Sequence, residues 1–298
     1  MKKYNIITHI TTFCNYNCSY CDVVKDKKYH NSQNLDKIIE FINKNNLFID
    51  RFKFFGGEPL LAFKDIKYII DNVKDHSLNY EIVTNTSLLT DEIGKYFQRY
   101  FYIIFFSIDS ENDFDFEKVL NFIRKYNLER KIYFNLIISP GKHEIALNQF
   151  FKLYEMGFKN FNILPVYYTK IWNDDDLVGL SKIMKIILDK SIIDKSIKLY
   201  GFQQNLGYNN SLLNKSIFID IDLKIYYTDF VSTKLGKIIK NELFLENINK
   251  FNLSENLNFE DKQNLLIYYE KNITKNILGQ QKLHKIMDYF SNYLNNKK

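Results

Sequence analysis

Six short apolar runs, each followed by an amphipathic stretch, fill the first 165 residues of this chain, and that alternation restricts the fold more than any other feature. The runs are Tyr4–Ile10, Arg51–Phe55, Tyr80–Thr84, Tyr102–Ile108, Lys131–Ile138 and Asn160–Leu164. Each is rich in Ile, Phe, Tyr or Val, the composition of strands buried in a parallel sheet. Helical patterns separate them at Leu35–Asn45, Lys64–Val73, Asp91–Tyr100, Phe116–Tyr126 and Glu144–Met156. In the first of these, Ile38, Ile39 and Ile42 fall on one face. Strand and helix alternating at this spacing require right-handed βαβ crossovers and a parallel sheet. The sheet is either an open doubly wound one or part of a (β/α) barrel. In both, the active site lies beyond the carboxyl ends of the strands.

After Pro165 the pattern changes. The stretch WNDDDLVGLSKIMKIILDK predicts a helix starting near Asn173, a good N-cap, with three Asp in its first turn to complement the helix dipole. Residues 201–240 read as β-rich, with SIFIDIDLKIYYTDF alternating around a turn near Asp222–Lys224. Residues 262–296 read as helical. Two regions are therefore expected: a barrel-like unit over 1–170 and an extension over 171–298. The first strand begins near residue 4, so no separate domain is expected ahead of it.

The net charge is +6, with 41 basic and 35 acidic residues, and the basic residues are dispersed. No nucleic-acid arm or polybasic membrane anchor follows from that distribution. The apolar start is interrupted by Thr8, His9, Thr11 and Thr12 and is followed by no small-residue cleavage site, so it is not expected to act as a signal peptide. No run approaches the roughly 20 apolar residues of a membrane span. A cytoplasmic protein is expected. The 26 Phe and 22 Tyr accompany abundant Lys, Asn and Ile, so aromatic richness alone is no binding signal.

All three cysteines lie within CNYNCSYC, on the loop that leaves the carboxyl end of the first strand. Three thiols so close together cannot form a disulfide framework. They converge on one centre instead. Structural zinc wants four ligands, which His9 or His30 would have to complete. An iron–sulfur cluster held by three cysteines keeps one coordination position open. The bland reading is three small buried hydrophobes. The second element is FKFFGGEPLL, which places Gly56, Gly57 and Glu58 directly after the second strand; glycines there let the backbone approach a ligand closely.

The spacing C-x3-C-x2-C, with aromatic Tyr20 before the last cysteine, resembles the radical S-adenosylmethionine (SAM) enzymes. GGEP, one βα unit later, resembles the segment that holds the SAM amino group in that family. IVTNTSLLT resembles the third-strand segment, which usually has Gly where Thr86 stands, and FFSIDS resembles the fourth, which usually ends Asp-Gly. The resemblance covers roughly residues 4–165. It implies an α/β fold, a partial (β/α)6 TIM-like barrel with a small α+β C-terminal extension. It also implies a [4Fe–4S] cluster on Cys14, Cys18 and Cys21, whose open iron chelates SAM. Reductive cleavage then yields a 5′-deoxyadenosyl radical that abstracts hydrogen from a substrate at the barrel mouth. Gly56, Gly57, Glu58, Ser107, Asn135 and Leu164 are the implied SAM-contacting positions. Tyr20 either stacks near adenine or packs in the core. Asp109 is either a catalytic residue or the cap of the next turn; Ser107 and Asp109, two apart, point the same way.

The segment IDIDLKIYYTD, followed by KLGKI at 234–238, resembles the hairpin of the SPASM/twitch extensions of peptide maturases. Tyr227 and Thr228 stand where that family has Pro and Cys, and Leu223 replaces the turn glycine. The extension is thus expected to carry no cluster, leaving one in the chain. The resemblance implies a ribosomally made peptide or protein side chain as substrate and a flavodoxin- or ferredoxin-type reductant as partner. A small metabolite or nucleotide as substrate, and a metal-binding module without turnover, are the alternatives. His143 and His284 are expected at the surface and His9 in the core. Tyr167, Tyr168 and Trp172 either line the substrate opening or cover the barrel edge.

Overall fold

The computed structural model of the chain describes residues 3–111, 114–167, 169–200, 216–228, 240–254, 264, 268 and 279–295. Tyr168, the segment 234–238, most of the region 201–240 and most of the helical pattern 262–279 lie outside the described residues. The six expected strands are β1 (Tyr4–Thr11), β2 (Ile49–Gly56), β3 (Asn79–Thr84), β4 (Phe101–Ile108), β5 (Ile132–Ile138) and β6 (Asn160–Pro165). The five expected helices are α1 (Ser32–Asn45), α2 (Phe63–Asn72), α3 (Asp91–Tyr100), α4 (Phe116–Lys125) and α5 (His143–Glu155). All five strand pairs from β1 to β6 are parallel and follow chain order. A doubly wound sheet would reverse its order partway. This one never does, so the crossovers keep their helices on one face and leave the other face free to curve around a cavity. The architecture is mixed α/β with a barrel-like parallel sheet.

The two faces of each strand differ accordingly. On β2, Phe52 and Phe54 are fully buried in the helix-side core, whereas Lys53 and Phe55 line the inner cavity. On β4, Ile104 and Phe106 pack outward while Phe105 and Ser107 face in. The near-continuous apolar runs arise because both faces are covered, one by helices and the other by the barrel interior.

Four further strands flank the six. β7 (Lys198–Leu199) pairs with the far side of β6. At the opposite end, β8 (Ser216–Ile219) pairs in parallel with β1, and β9 (Lys224–Tyr226) and β10 (Phe244–Asn247) continue the sheet in antiparallel fashion. The hairpin β8–β9 turns at Asp220–Leu223, where Leu223 holds φ +62°. It carries the sheet onward past β1 rather than standing apart from it. Lys28 Nζ, beyond the cysteine loop, lies 3.2 Å from Asp222 of this turn.

The helix α6 (Asp174–Ile193) starts where the sequence places it. The Asn173 side chain accepts from Asp176 N–H at 2.8 Å, and the Asp176 carboxylate accepts from Asn173 N–H at 3.3 Å. Such a reciprocal cap stabilises a helix start by about 1 kcal/mol. The helix α7 (Gln280–Asn295) packs on α6 with the same polarity: Lys282 bonds Asp174 near both amino ends, and the Tyr293 hydroxyl donates to Asp189 further along. Trp172 is buried, its indole N–H donating to Val166 O at 2.9 Å.

Two histidines expected at the surface are half-buried instead. The His143 ring lies so close to α6 that a Cβ at Gly179 would meet it at 2.2 Å. His284 packs its ring on Tyr167 at 5.2 Å, and burial lowers its pKa. Neither lies in an apolar run that would have revealed burial. His9 is a core residue between Phe55 and Phe218, at ring separations of 5.7 and 4.8 Å. Burial, then the nearby Lys240, pushes its pKa down to about 3, so it stays neutral.

Candidate active site

The cysteine loop sits over the carboxyl ends of the strands. Four neighbouring loops hold it there. From β2, Gly57 N–H donates to Thr11 O at 2.9 Å and Glu58 N–H to Phe13 O at 2.8 Å. After β3, Asn85 Nδ2 donates to Asn15 Oδ1, and Asn15 Nδ2 to Ser87 Oγ, both at 2.9 Å. After β4, Glu111 accepts from the Ser19 N–H at 2.5 Å and from the Ser19 hydroxyl. After β6, the Thr169 hydroxyl donates to Tyr20 O at 2.9 Å and Lys170 Nζ to Ser19 Oγ at 2.7 Å. A loop tied at four places keeps its side chains in position without ordering them on ligand binding.

Cys14, Cys18 and Cys21 are free thiols, half-buried, and line one cavity of about 330 Å³. A turn bond from Cys21 N–H to Cys18 O at 3.1 Å folds the loop back, and Tyr16 N–H points at Cys14 Sγ at 3.4 Å. Three thiols facing one cavity, one of them receiving a backbone donor, make a donor set that fits an iron–sulfur cluster. The histidines weighed as a fourth zinc ligand do not reach it. His9 is shut in by two phenylalanines, His30 Nε2 is bonded to His9 O at 2.8 Å, and neither lines the cavity.

The glycines at the end of β2 serve a purpose the sequence does not disclose. A Cβ on Gly56, which holds φ +141°, would meet Thr11 O at 2.0 Å; one on Gly57 would meet Phe13 O at 2.1 Å. Both distances are far inside van der Waals contact. These glycines admit the backbone of the cysteine loop itself, so the GGE segment and the thiol loop are one packed unit. Glu58 follows, almost wholly buried. Its carboxylate accepts from Leu60 N–H at 3.0 Å, Thr84 Oγ at 2.7 Å and Asn85 N–H at 2.8 Å. Desolvation outweighs these donors and pushes its pKa up to about 7. At Thr86, where the family usually has Gly, the backbone does take the left-handed form, φ +66°.

Across the cavity, register aligns three polar side chains into one ladder. Ser107 is opposite Asn135, and Asn135 opposite Asn162. Asn162 Nδ2 donates to Asn135 Oδ1 at 2.9 Å, and Asn135 Nδ2 to Ser107 Oγ at 3.3 Å. Leu164 supplies an apolar wall beside them. Asp109 and Glu58 are the two carboxylate residues among the described residues lining the cavity. Asp109 Oδ1 accepts from Glu111 N–H at 2.7 Å and Oδ2 from the Tyr20 hydroxyl at 2.6 Å. Asp109 thus both caps the turn and fixes Tyr20 against the cavity. Burial and this bond raise the Tyr20 pKa well above its ordinary value.

Every site residue expected from sequence lines this cavity: the three cysteines, Tyr20, Gly56, Gly57, Glu58, Ser107, Asp109, Asn135 and Leu164. Asn162, Lys53, Lys25 and Tyr200 line it too. Asn162 stands between Phe161 and Ile163 in β6, and Lys53 between Phe52 and Phe54 in β2. Lys53 lies 3.0 Å from Glu81 and 4.6 Å above the Phe105 ring. Tyr200 follows β7 and reaches back to Arg51, a contact no local pattern encodes.

Comparison with known proteins agrees with this geometry. The radical SAM cyclopropyl synthase TigE of Paramaledivibacter caminithermalis is 27% identical over 246 residues, covering 70% of this chain and 50% of that protein. The chain thus spans half the length of that relative. The GTP 3′,8-cyclase of Clostridium botulinum (strain Okra) is 24% identical over 235 residues, 70% of this chain and 73% of the cyclase. Among solved structures, anSMEcpe with bound AdoMet and Cp18Cys peptide superposes with a TM-score of 0.66 at 16% identity, over 89% of this chain and 82% of that one. Streptococcus suis SuiB bound to precursor peptide SuiA gives 0.62 at 13% identity, over 85% and 64%. These two likenesses are of fold. Residues 8–178, more than half of the chain and including the three cysteines and the GGE segment, match the model of the radical SAM superfamily, and the chain belongs to that superfamily of enzymes.

Proposed function

We propose that this radical SAM enzyme acts on a side chain of a ribosomally made peptide or a protein, using a single cluster. The cofactors of the superfamily, a [4Fe–4S] cluster and SAM, are its cofactors. When bound and reduced they supply the 5′-deoxyadenosyl radical. Cys14, Cys18 and Cys21 would hold the cluster, and Glu58 the SAM amino group. The ladder Ser107–Asn135–Asn162 offers hydrogen-bonding groups to the ribose, and Leu164 an apolar surface to adenine. Tyr20, tied to Asp109, shields the loop from water. Asp109 is the cavity carboxylate available for a proton during turnover once Tyr20 releases its Oδ2.

The single observation behind this reading is the convergence of three free thiols with Glu58 and that ladder on one cavity. For one cluster, the support is the β8–β9 hairpin. Where the maturases it resembles carry Pro-Cys, buried Tyr227 and Thr228 stand. For a peptide, the support is that structures of this fold hold peptides. A nucleotide is the second reading, favoured by the GTP cyclase relatives and by cationic Lys25 and Lys53 in the cavity wall. Three free thiols suit a reducing, cytoplasmic setting and a flavodoxin- or ferredoxin-type donor.

Anaerobic reconstitution tests the reading. Iron content of one cubane per chain, followed by 5′-deoxyadenosine release on reduction with SAM, is expected. Turnover is then compared between peptides encoded beside the gene and GTP. Product formed from GTP alone would replace the peptide reading with the nucleotide one, and more iron than one cubane would refute the single cluster.

A further inference from the structure

The outer faces of α6 and α7 carry a feature that the cavity does not use. Between these parallel helices runs a groove of about 670 Å³. Its walls are apolar, from Leu177 and Val178 on α6 to Ile286, Tyr289 and Phe290 on α7. Val178 and Tyr289 are 60% and 62% exposed, on opposite walls of the groove. Lysines stand along both rims: Lys182 and Lys185 on one, Lys282 and Lys285 on the other. Asp174 is the sole acidic residue among the described residues lining it. Lys282 and Lys185 contact Asp174 and Asp189 in exposed pairs, which hold little energy and exchange readily.

The groove also has a direction. Its Asp174 end lies at the amino ends of both helices. Lys170, four residues earlier, is bonded to Ser19 of the cysteine loop. Four residues span at most about 14 Å, so this end lies toward the side of the barrel that carries the cysteine loop. From Asp174 to Lys185 the groove runs about 17 Å, the length of three helical turns.

We propose that this groove docks an acidic amphipathic helix carried by the peptide substrate, delivering the modified segment to the cavity. The proposal rests on the peptide-substrate reading. An apolar stripe of the partner fills the floor, and its acidic flanks meet the two lysine rims. Concavity sets the site apart from a membrane-binding face, which presents protruding apolar groups.

A labelled acidic amphipathic peptide of about 14 residues, with Leu at helical spacing and Glu elsewhere, serves as probe in fluorescence anisotropy with the full chain. Saturable binding is expected, weakened about tenfold by Lys182→Glu together with Lys285→Glu, and again by raising salt from about 50 to about 300 mM. Tyr289→Ala, which leaves all charges in place, should weaken it as well. A scrambled peptide of equal charge should bind poorly. Equal binding by wild type and both variants, equal binding of the scrambled peptide, or displacement of the probe by phosphatidylserine vesicles would overturn the proposal. The measurement needs neither cluster nor turnover, so failure of the proposed peptide chemistry leaves its outcome readable.

Discussion

Leu223 sits where glycine is usual in the hairpins this one resembles, and its backbone kept the glycine conformation, φ +62°. Its side chain is buried, 6% exposed, and its peptide bonds are committed: N–H to Asp220 O and carbonyl from Ile248 N–H, both at 3.0 Å. The turn cannot relax to a negative φ without losing both. Consider two truncations. Leu223→Ala removes the buried isopropyl end, at a cost of about 2–5 kcal/mol, and Leu223→Gly removes the β-carbon as well. They differ in that one buried carbon and in backbone. Alanine keeps the left-handed penalty of about 1–2 kcal/mol, which glycine escapes. Glycine loses about 0.5–1 kcal/mol to the greater freedom of its unfolded chain. The extra buried carbon adds about 0.8 kcal/mol against glycine, so at position 223 the terms nearly cancel and the two variants should unfold within about 0.5 kcal/mol of each other. The assay is urea unfolding of the metal-free protein, comparing midpoints at equal slope. Ile225, buried in the following strand, supplies the control, where alanine should be the more stable truncation. Alanine more stable than glycine at position 223 by as much as at position 225 would show that the turn relaxes and would refute the argument.

Three more outcomes follow from the site. Gly57→Ala places a methyl 2.1 Å from Phe13 O, so the variant should fold yet bind iron poorly on reconstitution, read by the cluster absorbance. If Asp109 acts only by fixing Tyr20, then Tyr20→Phe and Asp109→Asn should slow 5′-deoxyadenosine release equally; a much larger loss in Asp109→Asn would make it a catalytic residue. Glu58 is raised to about 7 in the folded, ligand-free chain, so its proton is favoured by folding. Stability on its account falls as pH rises from the ordinary carboxylate value toward 7. A cationic amino group must displace that proton, so SAM affinity should weaken about tenfold per unit below pH 7 and binding should release a proton, measured by calorimetry in buffers of different ionisation enthalpy.

Most of the barrel was legible because burial on both strand faces leaves continuous Ile-, Phe- and Tyr-rich runs, and because caps such as Asn173–Asp176 are local chemistry. The site was legible where it is contiguous, as in CNYNCSYC and GGEP. What depends on distant pairing was not. The reason for Gly56 and Gly57 is the carbonyls of Thr11 and Phe13, over 40 residues away in the chain. Asn162 acquires its place only through the β5–β6 register. The hairpin at 216–226 reads as self-contained, and nothing in its alternation shows that β8 lies parallel against β1.

That last pairing bears on how the protein is made. β1 holds the cysteine loop, yet one of its two neighbours, beginning opposite Asn5 at Ser216, emerges about 210 residues later. So high a separation delays closure of the ladder until most of the chain is synthesised. Throughout that interval the three thiols hang from a strand that is bare on one side. The cluster is therefore best inserted late, into a nearly finished chain, and the thiols need a reducing or chaperoned environment until the last strands dock.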